Sequence, residues 1–279
     1  MPAPKTIAFI GDIHCGSRCG LWPEEDIPKR CHTGARYLME CYRDMVAQWP
    51  DIDLLFLMGD LIDGKQRKAD GVGLFTADLG EQVRGAIDVL QPLADKCQKI
   101  YRVEGTPYHE DFHNALGELD KALDVSRSQQ IFDVDLGSGI LNVAHHPAGG
   151  GALYMGTKVD KEAVWAKFAT GCGKVPNARW IVRAHCHSYM FQDTETSTVL
   201  QTPCWQLPTA WAKKQNYYRF QADLGGVLMI ADDAEDAGYR FRKTLYPSPQ
   251  PEIIRETEAS KPAANRKGAK GARRKRVRA

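Results

Sequence analysis

Nine side chains that can bind a metal or move a proton recur at one kind of place, the end of an apolar run. "IAFIGDIH" closes on Asp12 and His14, and "LLFLMGDLID" on Asp60 and Asp63. "YRVEGTPYHE" leads to His109, "LNVAHH" to His145 and His146, and "WIVRAHCH" to His185 and His187. A short apolar run stopped by Gly-Asp reads as a buried strand, and α/β folds gather their sites at the carboxyl ends of strands. Residues two apart on an extended chain point the same way. Asp12 with His14, and His185 with His187, are therefore each expected to present two ligands to one point. Imidazole mixed with carboxylate suits divalent Mn, Fe or Zn, and a shared carboxylate suits two such ions.

These strand ends need a scaffold. "GARYLMECYRDMVAQW" places Leu38 or Met39, Tyr42, Met45 or Val46, and Trp49 at helical spacing. A second helix is expected over about 77–97, with Leu79, Val83, Ile87 and Leu90 on one face and Pro92 kinking or breaking it. "KIYRVEG" reads as a third strand, followed by a helical stretch over about 112–123. Five further strands follow in "GILNVAHH", "ARWIVRAHCH", "STVLQTPCW", "GGVLMIAD" and "YRFRKTLY", with a helix near 160–169 between the first two. Strands alternating with helices, then strands in succession, predict a mixed α/β sandwich.

At 279 residues and 43% hydrophobic content the chain can bury a full core, and one large domain fits better than two. No apolar run approaches the ~18 residues of a membrane span. The N-terminal segment reads as a first strand rather than a signal peptide. Eight cysteines without a secretion signal suggest reduced thiols in a cytoplasm. The formal charge of +2 is uneven, because nine Lys/Arg and no acid follow Ser260 and the rest of the chain carries about −7. That tail has one large apolar side chain, Val277, and cannot bury enough surface to offset its ordering entropy. The expected organisation is a domain over 1–250 and a disordered basic tail over 251–279.

The series "GDIH", "GDLID", "GTPYHE", "AHH" and "AHCH" resembles the five signatures of the calcineurin-like metallophosphoesterase superfamily. The resemblance runs from about Thr6 to His187, with strands to about Tyr246 completing the domain. It implies two packed mixed β-sheets flanked by helices, an αββα sandwich, with two divalent metals along one edge. By position, Asp12, His14 and His187 would hold one metal, His145 and His185 the other, and Asp60 would bridge. His145 is preferred to His146 as the first residue after the strand; the alternation of the strand allows either. Asp63 would orient a histidine, and His109 would steady the phosphoryl charge or protonate the leaving oxygen while a metal-activated water attacks in line. Mn, Fe, Zn or Ni would serve, with Mn foremost in vitro.

One signature departs from the pattern. Family members carry Gly-Asn-His-Glu or Gly-Asn-His-Asp where this chain has Gly105, Thr106, two extra residues and then His109-Glu110. A hydroxyl is a poorer neutral ligand than an amide oxygen. The second metal is therefore expected to have one protein ligand fewer, or to be completed by water or by a displaced His109. Together with "TPCWQLP", this variant resembles phage and prophage phosphoesterases.

For substrate, the basic tail points to nucleic acid. "WQLPTAWAKKQNYYRF" interleaves Trp205, Trp211, Tyr217 and Tyr218 with Lys213, Lys214 and Arg219, a composition suited to stacking with phosphate contact. Thr106, His146, Lys213 and Lys214 are the candidate substrate contacts. A nuclease is the leading expectation. The alternatives are a phosphatase or cyclic-nucleotide phosphodiesterase, and a non-catalytic nucleic-acid-binding protein on the same scaffold.

Overall fold

Strand β1 (Thr6–Ile10) shows how the chain divides its core, because its alternate side chains go to different layers. Ile7 and Phe9 pack between two sheets, while Ala8 and Ile10 face helices. The structure, a computed structural model, describes residues 4–27, 33–110, 116–147, 156–214, 222–231 and 238–249. Met1–Ser248 forms one unit and Pro249–Ala279 a second. The expected disordered tail lies outside the described residues.

The first sheet takes the order β11 (Tyr239–Tyr246), β10 (Leu224–Ala231), β1, β2 (Leu54–Leu57), β3 (Ile100–Val103), β4 (Val125–Gln129). β1 to β4 run parallel, and β10 and β11 are antiparallel. The second sheet takes the order β5 (Ile131–Asp135), β6 (Ile140–Ala144), β7 (Ala178–Arg183), β9 (Thr198–Gln201), β8 (Met190–Asp193), with β6, β7 and β9 parallel. Phe9, Phe56, Tyr101 and Val227 of the first sheet meet Phe132, Leu141, Trp180 and Leu200 of the second. Helices α1 (Thr33–Gln48), α2 (Leu79–Ala94) and α3 (Gly117–Ala122) cover the outer face of the first sheet. Helix α4 (Thr157–Gly171) covers the second through Val159, Ala163 and Ala166. A short helix α5 (Ala210–Lys214) follows β9. The chain is thus two mixed sheets flanked by helices.

Three expectations need correction. Helix α2 runs through Pro92 and ends two residues later, so the ring removes one donor in the last turn instead of breaking the helix. At its other end the Asp78 side chain accepts from the Glu81 amide at 2.8 Å, a cap that sets the start. Strands β4, β5 and β8 were not expected; all three are sheet edges with half-exposed, mixed sequences. The helix expected over about 112–123 is the shorter α3, with residues 111–115 outside the described set.

Candidate metal centre

The site is assembled by five loops, each following the carboxyl end of a parallel strand: β1, β2, β3, β6 and β7. The chain turns sharply there. Asp12, His14, Asp60, His185 and His187 have φ of 49°, 45°, 50°, 68° and 56°. These left-handed conformations correct the expectation that extended alternation aims Asp12 with His14 and His185 with His187. Asp and His are among the residues that enter this region most readily. Backbone bonds lock the turns together, with Asp12 N donating to Gly59 O at 2.9 Å and His14 N to Asp60 O at 3.0 Å. His185 N donates to Asp12 Oδ2 at 3.1 Å. Gly59 (φ 86°) and Gly105 let the β2 and β3 loops touch: a Cβ on Gly59 would lie 2.7 Å from Gly105 Cα.

Four overlapping groups could each hold a cation, with ligand atoms within 4.8 Å of one another: Asp12/His14/His187, His14/Asp60/His109, Asp12/Asp60/His145 and His145/His146/His185. Asp60 belongs to two of them, and its Oδ2 lies 3.2 Å from His145 Nε2. His14 Nε2 and His187 Nε2 approach to 3.2 Å. Asp12 Oδ1 lies 3.2 Å from His187 Nε2, yet it is buried with no hydrogen bond among the described residues. An orphaned carboxylate oxygen facing imidazole nitrogens is what a divalent cation satisfies, so the donor set fits the metals it was expected to hold.

Second contacts aim these donors. Asp63 Oδ1 takes His14 Nδ1 at 2.9 Å, and Met58 O takes His145 Nδ1 at 2.6 Å, so each ring turns its Nε2 into the site. His109 Nδ1 donates to Asp63 O at 3.0 Å and lies 3.3 Å from Asp63 Oδ1. Asp12, His14, Asp60 and Asp63 form a buried floor, whereas the His185 and His187 side chains are 40% and 27% exposed. The site is open along that rim.

Electrostatics follow from this crowding. Burial alone would raise Asp60, but His145 and His185 hold it well below the usual carboxylate range. Burial alone would lower His145, but Asp60 and Asp12 raise it to about 9. His146 is pulled down to about 4 by burial and by its neighbours His145 and His185. Asp63 would rise on burial, yet His109 and His14 keep it below its ordinary value; His109 in turn is raised, with Asp63 overcoming its burial.

Thr106 stands among Asp60, His145, His146 and His185. Its Oγ1 donates to Asp60 Oδ2 at 3.0 Å and lies 3.3 Å from His145 Nε2, His146 Nε2 and His185 Nδ1. The two extra residues form a turn in which Thr106 O accepts from His109 N and Glu110 N, both at 2.9 Å. His109 is thereby carried to Asp63 and His14, its ring 4.6 Å from that of His14. His146, ranked behind His145 as a ligand and expected to touch substrate, joins His145 and His185 in one potential ligand group.

Two positioning residues were given no role from the sequence, although Glu110 stands in the His-Glu signature and only Gln82 had no signal beyond its polarity. Glu110, its side chain 5% exposed, accepts from Leu61 N at 2.8 Å and Gly105 N at 2.7 Å, joining the β2 and β3 loops. Burial and then Asp60 raise it to about 7. Gln82 of α2 accepts from Gly64 N at 2.8 Å and donates to Gly64 O at 2.9 Å, fixing the loop that carries Asp63.

The expected aromatic-basic segment fares differently. Trp205 is fully buried and packs edge-on against Tyr42 at 5.4 Å, so it is core and cannot stack on a base. Lys213 and Lys214 are exposed on α5 and make no hydrogen bond or ion pair with the candidate metal-binding cluster among the described residues. The side chain of Trp211, and Tyr217, Tyr218 and Arg219, lie outside the described set. No disulfide joins any two of the seven cysteines described, and no helix among the described residues is long and apolar enough to cross a membrane.

The family model described as calcineurin-like phosphoesterase matches residues 5–189. A comparison with curated protein sequences finds no match. Similar solved structures include Vps29 of Entamoeba histolytica complexed with zinc, at 12% identity over 86% of this chain and 98% of that one, TM-score 0.42. A predicted phosphoesterase from Streptococcus pneumoniae shares 13% identity over 88% and 95% of the two chains, TM-score 0.41. An archaeal phosphodiesterase shares 11% over 86% and 99%, TM-score 0.44.

Proposed function

Because this chain belongs to the calcineurin-like phosphoesterase family, metal-dependent hydrolases of phosphoester bonds, we propose that its substrate is the phosphodiester backbone of nucleic acid. The observation that carries the catalytic part is Asp60, which belongs to two potential metal groups, one of them also containing Asp12 with its orphaned Oδ1. In this reading Asp12, His14 and His187 hold one divalent ion, His145 and His185 the other, and Asp60 both. His146 and Thr106, whose Nε2 and Oγ1 lie 3.3 Å apart beside His145 and His185, would complete the second set. Two such ions supply Lewis acidity toward the phosphoryl oxygens and a water made acidic enough to attack near neutral pH.

The remaining work falls to the chain. Asp63 fixes the tautomer of His14 and holds the Nδ1 proton of His109. That leaves His109 Nε2 free to face the phosphoryl group and give a proton to the leaving oxygen. Glu110 keeps the Asp60 and Thr106 loops in register. No cysteine is needed as a nucleophile.

The nucleic-acid part is supported by the basic tail after Ser260, which suits recruitment of a polyanion to a chain whose remainder is acidic. The test is a Mn-supplemented assay comparing DNA, RNA, cyclic nucleotides and a chromogenic diester. Preferential cleavage of DNA or RNA supports the reading. Turnover confined to cyclic nucleotides or the small diester replaces it with a small-molecule phosphodiesterase.

A further inference from the structure

We propose that the outer face of α4 is the track along which a single-stranded polynucleotide reaches the metal centre; this rests on the nucleic-acid reading above. The helix buries its small residues and exposes its large ones. Val159, Ala163 and Ala166 pack against Ala178, Ile181, Val199 and Met190. Trp165 and Phe168 stand 58% and 60% exposed, their rings in edge contact at 5.9 Å. Packing alone would select the opposite arrangement.

The exposed aromatics belong to an ordered stripe. Lys158, Lys161, Trp165 and Phe168 follow one another at intervals of three, four and three residues, which places them along one side of the helix. Lys158 Nζ lies 2.7 Å from Cys186 Sγ, and Cys186 sits between His185 and His187, the open rim of the site. The stripe therefore starts at the metal centre, and Phe168 lies about 15 Å further along at ~1.5 Å per residue. No carboxylate interrupts it: Glu162 turns inward onto Arg183 at 2.9 Å, and Asp160 falls off the stripe.

Two lysines at the end of the stripe nearer the site, then two exposed rings, match a strand whose phosphates are anionic and whose bases are free to stack. A duplex keeps its bases stacked on each other and offers the rings nothing. A second copy of this chain, docking the same face, would bring lysine-bearing stripes together.

The test compares wild-type, Trp165→Ala/Phe168→Ala and Lys161→Glu proteins, all Mn-loaded, on a fluorescein-labelled oligo(dT) 12-mer and on a chromogenic diester. The expected result is that the ratio of kcat/KM on the oligonucleotide to that on the diester falls by about 10-fold or more in both variants, chiefly through KM. Metal content and thermal unfolding serve as folding controls. Tryptophan emission, compared between wild type and Trp165→Phe, adds an independent readout: of the six tryptophans Trp22, Trp49, Trp180 and Trp205 are buried, Trp165 is exposed, and Trp211 is common to both proteins. Oligo(dT) should quench it in wild type and much less in Trp165→Phe. If wild type cleaves oligo(dT) and both variants keep the same substrate ratio, the track is wrong while the nuclease reading stands. If wild type cleaves duplex DNA or RNA but not oligo(dT), the track is wrong while the nuclease reading stands; if it cleaves none of the three, the nuclease reading fails and the track with it. A drop in molecular mass on gel filtration of the double variant would assign the aromatics to self-association and overturn the proposal.

Discussion

Gly105→Ala should remove most of the turnover while leaving the protein folded. A Cβ built there lies 2.3 Å from the Asp60 amide nitrogen, 2.5 Å from Asp60 Oδ1 and 2.8 Å from Glu110 Cδ. Ordinary contact begins near 3.4 Å, so one of the two loops must shift by about 1 Å. Nothing nearby yields easily. The closest atom is backbone, Asp60 Oδ1 already accepts from Thr106 N at 2.5 Å, and Glu110 is held by two amides. The residue displaced is the carboxylate shared by the metal groups, and a misplacement of about 1 Å costs on the order of 10²-fold in rate. Overpacking itself costs about 1–3 kcal/mol, or a melting temperature lower by about 2–12 °C for a domain of this size. The assay is steady-state hydrolysis of a chromogenic diester with Mn, alongside metal analysis and thermal unfolding. Gly117→Ala, whose Cβ would meet nothing within 4 Å, is the neutral control. Turnover within about threefold of wild type, with unchanged unfolding, would show that the loops do not make this close approach.

Asp60→Asn should abolish hydrolysis and lower bound metal, as read by metal analysis of the purified variant; retained activity and metal would sink the shared-carboxylate reading. His109→Ala should keep its metals and lose about 10²–10⁴-fold in turnover, whereas loss of one metal equivalent would make His109 a ligand. Thr106→Val removes the hydroxyl at the centre of Asp60, His145, His146 and His185, so Mn titration should show the second ion binding more weakly and the first unchanged. Deleting the residues after Ser260 should leave folding intact and flatten the slope of log affinity against log salt for DNA or RNA; an unchanged slope would make the tail incidental.

Where a strand is central, the sequence announces it. "KTIAFIGD" and "DIDLLFLMGD" are apolar throughout because their residues face a sheet core on one side and helices on the other. The strands β4, β5 and β8 were missed because each lies at an edge, where sequences such as "VSRSQ" and "MFQD" bury few side chains. That these Asp and His residues would gather in one place was legible because, at successive strand ends, they have little packing rationale. Their convergence was attributed to extended alternation, whereas it arises from left-handed turns invisible to periodicity. Trp205 and Trp165 show the limit of reading aromatics by composition: the first is core, and the second, in the helix expected near 160–169, is the exposed one.

The left-handed backbone at Asp12, His14, Asp60, His185 and His187 also bears on how such a chain evolves. Each conformation costs on the order of 1 kcal/mol or more for a residue with a Cβ. Glycine at any of the five would relieve that cost and, for the aspartates, remove a buried negative charge, while deleting a ligand. Selection for a sturdy fold and selection for chemistry therefore act in opposite directions on the same five codons. A lineage released from the need to hydrolyse phosphoesters could shed these residues and gain melting temperature, keeping the sandwich while its edge falls silent.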